Sequence, residues 1–138
     1  MSFELFLQRF SNGEESGFTG SEIRAAFGDA LSELEEDFWQ VGYGDSQSSD
    51  LFLTPLDGDP SKFHSISVHR PCGDARLYQS LWTLLGQSGS CLYFPGDSPP
   101  LSRDPGIARH LPPDMLEDLG DPVQLKDSTQ ILTAVETG

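Results

Sequence analysis

From Ser2 to Phe10 apolar and polar residues alternate, with Phe3, Leu5 and Leu7 on one side, Glu4 and Gln8 on the other, and Phe6 and Phe10 on that second side. A period of two predicts an opening β-strand. After the Ser11-Asn12-Gly13 turn and an acidic loop, Thr19 and Glu22 stand at capping-box spacing, so Thr19 can accept from the Glu22 amide while Glu22 reaches back. A short helix from Ser21 to Phe27, closed by Gly28, is the expected result. In 31–37, Leu31, Leu34 and Phe38 keep helical spacing, but the acids between them offer no interior, and an exposed connector is expected.

Three β-rich runs follow, Phe38–Tyr43, Ser49–Thr54 and Lys62–Arg70, separated by Gly44-Asp45-Ser46 and by Asp57-Gly58-Asp59-Pro60. Short Gly- and Asp-rich spacers between alternating runs predict hairpins, hence an antiparallel meander. Pro71-Cys72-Gly73-Asp74 breaks the last run, and from Ala75 to Leu85 apolar residues recur at i, i+3, i+4 and i+7 up to Gly86. This is the strongest helical signal in the chain, with Asp74 placed where the helix dipole favours a carboxylate. A short buried strand is expected over Cys91–Phe94, a surface loop from Gly96 to Arg109, and a brief helix from Pro112 to Leu119, stopped by Gly120 and Pro122. Val123–Leu125 reads as a final strand, and Asp127 with Gln130 as the cap of a last helix carrying Ile131, Leu132 and Val135. The element order predicts an α+β fold, a two-layer sandwich in which a mostly antiparallel sheet is covered by one long helix, with short flanking helices.

The length of 138 residues suits a single domain, 1–138, and 36% hydrophobic content with nine Phe lies above a disordered composition. The charge is lopsided. Residues 1–60 hold thirteen acids against Arg9 and Arg24, a net of −11, while the remainder holds nine acids and six bases, a net of −3. Such a field repels nucleic acid and attracts a basic protein. The N-terminus lacks a basic region followed by a long apolar run, and no stretch approaches the roughly 20 apolar residues of a membrane span, so a cytoplasmic protein without membrane contact is expected.

The chemistry-bearing residues form no catalytic set. Cys72 and Cys91 stand in neither a C-x-x-C nor a zinc-ligand pair, and Cys91 opens an apolar strand, where a thiol is inert. One disulfide between them remains open at this point. His64 and His69, five apart on a strand, are expected on opposite faces and so cannot chelate one ion together. Gly86-Gln87-Ser88-Gly89 lacks the spacing of a nucleophile elbow and follows a helix instead of preceding one. Gly42-Tyr43-Gly44-Asp45 leads into a strand where phosphate binding needs a helix N-terminus, and Asp57-Gly58-Asp59 has too few oxygen ligands for a calcium loop. No cofactor and no metal is expected.

One feature stands above this background, the cluster Glu33, Glu35, Glu36 and Asp37 beside Phe38-Trp39. Its plain reading is a solvated face that keeps the protein soluble. Its functional reading is a recognition surface in which Glu33, Glu35, Glu36, Asp37, Asp45, Asp57 and Asp59 draw in Lys and Arg while exposed rings, Trp39 among them, act as anchors. Two further readings are a small enzyme or ligand-binding domain, with a pocket between the 75–85 helix, the 96–110 loop and His64 or His110, and an assembly subunit, monomer or homodimer.

The opening Met1-Ser2-Phe3-Glu4-Leu5-Phe6-Leu7-Gln8-Arg9-Phe10, then Asn12-Gly13-Glu14, Ile23-Arg24-Ala25-Ala26-Phe27-Gly28, Leu92-Tyr93-Phe94-Pro95-Gly96 and His110-Leu111-Pro112, resembles small bacterial proteins of about this length. These in turn resemble the immunity proteins that accompany toxins delivered between bacterial cells. The resemblance implies a non-catalytic partner for a basic toxin such as a nuclease. That class shares acidity and small size rather than a motif, so no residue role follows from it.

Overall fold

The computed structural model describes residues 4–44, 47–94 and 99–137, with side chains as far as 134. The expectations for Ser2 and Phe3 in the first strand, for Asp45 and Ser46, for the loop's start at Gly96 and for the Val135 side chain lie outside the described residues. In chain order the strands are β1 (Glu4–Ser11), β2 (Glu14–Glu15), β3 (Phe18–Thr19), β4 (Leu31–Glu33), β5 (Phe38–Gly42), β6 (Ser48–Leu56), β7 (Asp59–His69), β8 (Ser90–Tyr93), β9 (Leu101–Ser102) and β10 (Val123–Gln124). The helices are α1 (Gly20–Phe27), α2 (Ala75–Leu85), α3 (Pro113–Leu119) and α4 (Thr129–Thr137), with 3₁₀ turns at Gly28–Ala30 and Ile107–Arg109. The strands join one open sheet in the order β10-β9-β8-β1-β7-β6-β5-β4, with β2 beside β1 and β3 beside β7. Every pairing is antiparallel except β9 with β10. The fold is therefore α+β with a mostly antiparallel sheet.

Local chemistry sets the boundaries. Thr19 caps α1 as its spacing predicts: its hydroxyl accepts from the Glu22 amide at 3.1 Å and the Glu22 carboxylate accepts from the Thr19 amide at 2.8 Å. The Asp74 carboxylate accepts from the Arg76 amide at 2.9 Å and so caps α2. Gly58, at φ +87°, makes the tight turn between β6 and β7 that a side chain would strain. Before α4, the Asp127 carboxylate accepts from the Thr129 amide at 3.0 Å, while Gln130 reaches back to the Asp127 amide.

Side chains on one face of the sheet, including Leu7, Val41, Leu51, Ile66, Val68 and Leu92, form a single core with Ile23 and Phe27 of α1, Leu77, Leu81 and Leu85 of α2, and Ile131 of α4. The longest helix is α2, of 11 residues, so no one long helix covers the sheet and the cover is shared. The opposite face carries a second, smaller cluster: Phe10 and Cys91 pack under Ile107 and Leu111, with Tyr93, Met115 and Leu116 against them.

Two segments depart from the sequence expectation. Residues 31–33, expected in an exposed connector, form β4 by pairing Leu31 with Val41 and Glu33 with Trp39. Backbone pairing to β5 supplies what the acidic side chains do not. The segment expected as a surface loop up to Arg109 contains β9, with Leu101 and Ser102 buried, and the buried Ile107. Its apolar residues are too sparse in sequence to show a period, yet Leu101 joins the main core and Ile107 the smaller cluster.

Candidate functional site

The acidic cluster closes on a recess of about 580 Å³ lined by Arg24, Glu33, Glu35, Glu36, Asp37, Trp39, Pro55, Pro60 and Phe63. Five residues expected from the sequence to act together are thus brought to one place. Their roles differ. Glu33 is already paired: Arg24 Nε donates to Oε2 at 2.9 Å and Nη2 to Oε1 at 2.8 Å. Those hydrogen bonds hold the Glu33 carboxyl below its ordinary range. Glu35, Glu36 and Asp37 are exposed, and none makes an ion pair among the described residues.

Trp39 is not an exposed anchor. The residue is 3% exposed, its indole N–H donates to the Glu35 carbonyl at 3.1 Å, and its ring meets Phe63 edge to face at 5.7 Å between centroids. It forms part of the recess wall, with the Arg24 guanidinium carbon 5.5 Å from its ring centroid. The recess therefore already seats one guanidinium between a carboxylate and an indole, the arrangement of a cation–π site. Pro55 and Pro60 come from the turn end of the β6–β7 hairpin, and Asp57 and Asp59 between them do not line the recess. The Asp59 carboxylate turns back on Ser61, and that hydrogen bond holds it below its usual range.

Phe38 occupies the other face. The register aligns Tyr93, Phe6, Ser67, Phe52 and Phe38 in one row across β8, β1, β7, β6 and β5. Phe38 and Phe52 lie 4.9 Å apart, and Phe52, at 42% exposure, meets His69 at 4.5 Å. At this end of the sheet, next to residues 34–37, the exposed Phe52 and the half-buried Phe38 stand close to the acidic cluster.

The histidines need a correction. Pairing shifts register between Thr54–Ser65 and Pro55–Phe63, and His64 is the residue passed over. A bulge of this kind turns two neighbouring residues to one side. His64 accordingly meets Phe10 on the second face, at 5.1 Å, and lies on the same face as His69. Alternation fails there because the bulge resets the period. His64 sits between the Ser16 carbonyl, 3.0 Å from Nδ1, and the Glu15 carboxylate, 3.2 Å from Nε2, while His69 lies 3.5 Å from Glu4. The two rings serve separate contacts, and no cluster of three or more metal-ligating side chains occurs among the described residues.

A further hollow of about 420 Å³ contains His64, Glu15, Tyr93, Asp114 and Asp118, and one of about 600 Å³ between α1 and α2 contains Asp29, Tyr43 and Arg76. Burial pushes the Tyr43 hydroxyl up to about 12. Compared with known protein families, with curated proteins and with solved structures, the chain matches none of them. The site is thus read from its own geometry. Cys72 and Cys91 are both free thiols, and burial pushes Cys91 up to about 12, which removes it as a nucleophile near neutral pH. No helix among the described residues is long and apolar enough to cross a membrane.

Sequence reasoning missed the walls of the acidic recess. Pro55, Pro60 and Phe63 come from a hairpin some twenty residues beyond the acids, and no local period connects them. The Arg24–Glu33 pair was equally hidden, because it spans the turn from α1 into β4.

Proposed function

We propose that this chain is a non-catalytic cytoplasmic protein that neutralises a basic protein, such as a nuclease toxin, by covering its active site. The observation that carries this reading is the recess at Trp39, where Glu35, Glu36 and Asp37 make no ion pair among the described residues, beside a ring that already receives Arg24. An incoming Lys or Arg would lay its stem against the apolar wall of Pro55, Pro60 and Phe63 while its charge meets these carboxylates. Asp57 and Asp59 would extend the negative rim along the hairpin, and Asp45 belongs to the same set of expected contacts. A basic active site built to hold phosphate would be blocked by carboxylates in the phosphate's place.

The test is calorimetry of the purified chain against the protein encoded by the neighbouring reading frame. Binding is expected to weaken by about a hundredfold in the triple variant E35Q/E36Q/D37N, as the loss of several charge-assisted contacts implies. Absence of binding, or an unchanged affinity in the triple variant, rejects the reading. A second reading, a domain for a small ligand, is favoured by one observation. A recess of about 370 Å³ lies where the end of α2 meets the 101–109 segment, lined by Leu85, Gly86, Ser88, Arg103, Asp104 and Arg109.

A further inference from the structure

Four of the six arginines are engaged by carboxylates: Arg9 by Glu22, Arg24 by Glu33, Arg70 by Asp50 and Arg76 by Asp74. The other two, Arg103 and Arg109, have no carboxylate within ion-pair reach among the described residues, and both line the recess at the end of α2. In a chain with 22 acids and 8 bases, a guanidinium has abundant candidates for pairing. Two that remain unpaired in one hollow make a local positive site on a negative molecule. Two other hollows run the opposite way, with Glu35, Glu36 and Asp37 in one and Glu15, Asp114 and Asp118 in the other, and the hollow between α1 and α2 balances Asp29 against Arg76.

We propose that this recess binds a small oxyanion, a carboxylate or phosphate group carried on a small molecule. The inference rests on the second reading above and names its ligand class. Arg103 is fixed before any ligand arrives: Nη1 donates to the Trp82 carbonyl at 3.0 Å and the guanidinium carbon lies 4.3 Å from the Trp82 ring centroid. That contact offsets the negative end of α2 and leaves the other edge of the fork for an acceptor. Arg109 Nε lies 3.3 Å from His110 Nε2, which leaves both of its terminal nitrogens as donors. Ser88 also lines the recess. Asp104, the one acid there, is turned into its own loop, where its Oδ1 accepts from the Gly106 amide at 2.8 Å. A ligand must be small because the net charge of −14 repels a polyanion from the molecule as a whole.

The experiment is an amide NMR titration of the full chain with sodium phosphate in one arm and sodium acetate in the other, chloride holding ionic strength constant. Saturable shifts at the amides of Gly86, Ser88 and Gly106 are expected in at least one arm, and the tighter arm assigns phosphate or carboxylate. R109Q, at an exposed position, should weaken binding about tenfold, the cost of one charge-assisted pair. D104N keeps the acceptor for Gly106 and removes a repelling charge, so it should tighten binding. Shifts that fail to saturate in both arms, or an affinity unmoved by R109Q, overturn the proposal. The triple variant E35Q/E36Q/D37N should keep the anion shifts while losing the basic partner, so either reading can fail without the other.

Discussion

At the scale of single residues, the tightest constraint is Gly89. It lies at φ +79°, and a β-carbon built there would stand 1.8 Å from the Phe10 carbonyl oxygen. The Gly89 carbonyl also accepts from the Phe10 amide at 2.9 Å, which ties the turn after α2 to the end of β1. Gly89→Ala is expected to destabilise the fold by about 1–3 kcal/mol or more, since both backbone strain and a clash with main chain must be relieved. Urea unfolding of the variant beside the parent protein measures it. The sequence marks Gly89 as a turn residue but gives no sign of its approach to Phe10, because the two are brought together by the antiparallel pairing of β1 with β8. The same holds for Trp39: the aromatic residue is visible in the sequence, its burial against Phe63 is not.

At the scale of elements, α2 shows how a helix read from its period is secured by its ends. Its apolar face enters the main core, Asp74 caps its start, and Arg103, just after β9, donates to the Trp82 carbonyl in its last turn. Hydrogen bonds from Arg76 hold the Asp74 carboxyl down at about 2, against an ordinary value of 3.8. A depressed carboxyl stabilises the fold above its unfolded value, and that stabilisation is lost as pH falls through the folded value. The thermal midpoint of the parent should therefore exceed that of Asp74→Asn above about pH 4, with the gap closing towards pH 2. A gap that persists unchanged at pH 2 would contradict this. The helix limits and the β6–β7 hairpin were legible in advance because each depends on neighbours in sequence. Strands β2, β3 and β9 were not, since two residues carry no period and only the partner strand defines them.

For the whole molecule, charge is the governing quantity. A net of −14 on 138 residues raises the free energy of the compact state through self-repulsion. Adding sodium chloride from about 10 mM to about 150 mM, which shortens the screening length from about 30 to about 8 Å, should raise the thermal midpoint of the free chain. A midpoint that falls with salt would mean that the Arg24–Glu33 and Arg70–Asp50 pairs outweigh the repulsion. The same field explains why the acidic recess and the arginine recess can coexist. Over long distances a net negative charge attracts cations, and within a hollow the nearest groups set the local potential.

The sequence by itself determined the α+β class, the capped helices α1 and α2, the β5–β6–β7 meander and the concentration of acid in residues 1–60, because period, capping and composition are properties of neighbouring residues. The tertiary structure decided that Trp39 is wall and not anchor, that His64 shares a face with His69, and that Arg103 and Arg109 line one recess with no ion pair among the described residues. Those outcomes depend on which distant surfaces bury one another and where a bulge resets the register, and no local pattern encodes either.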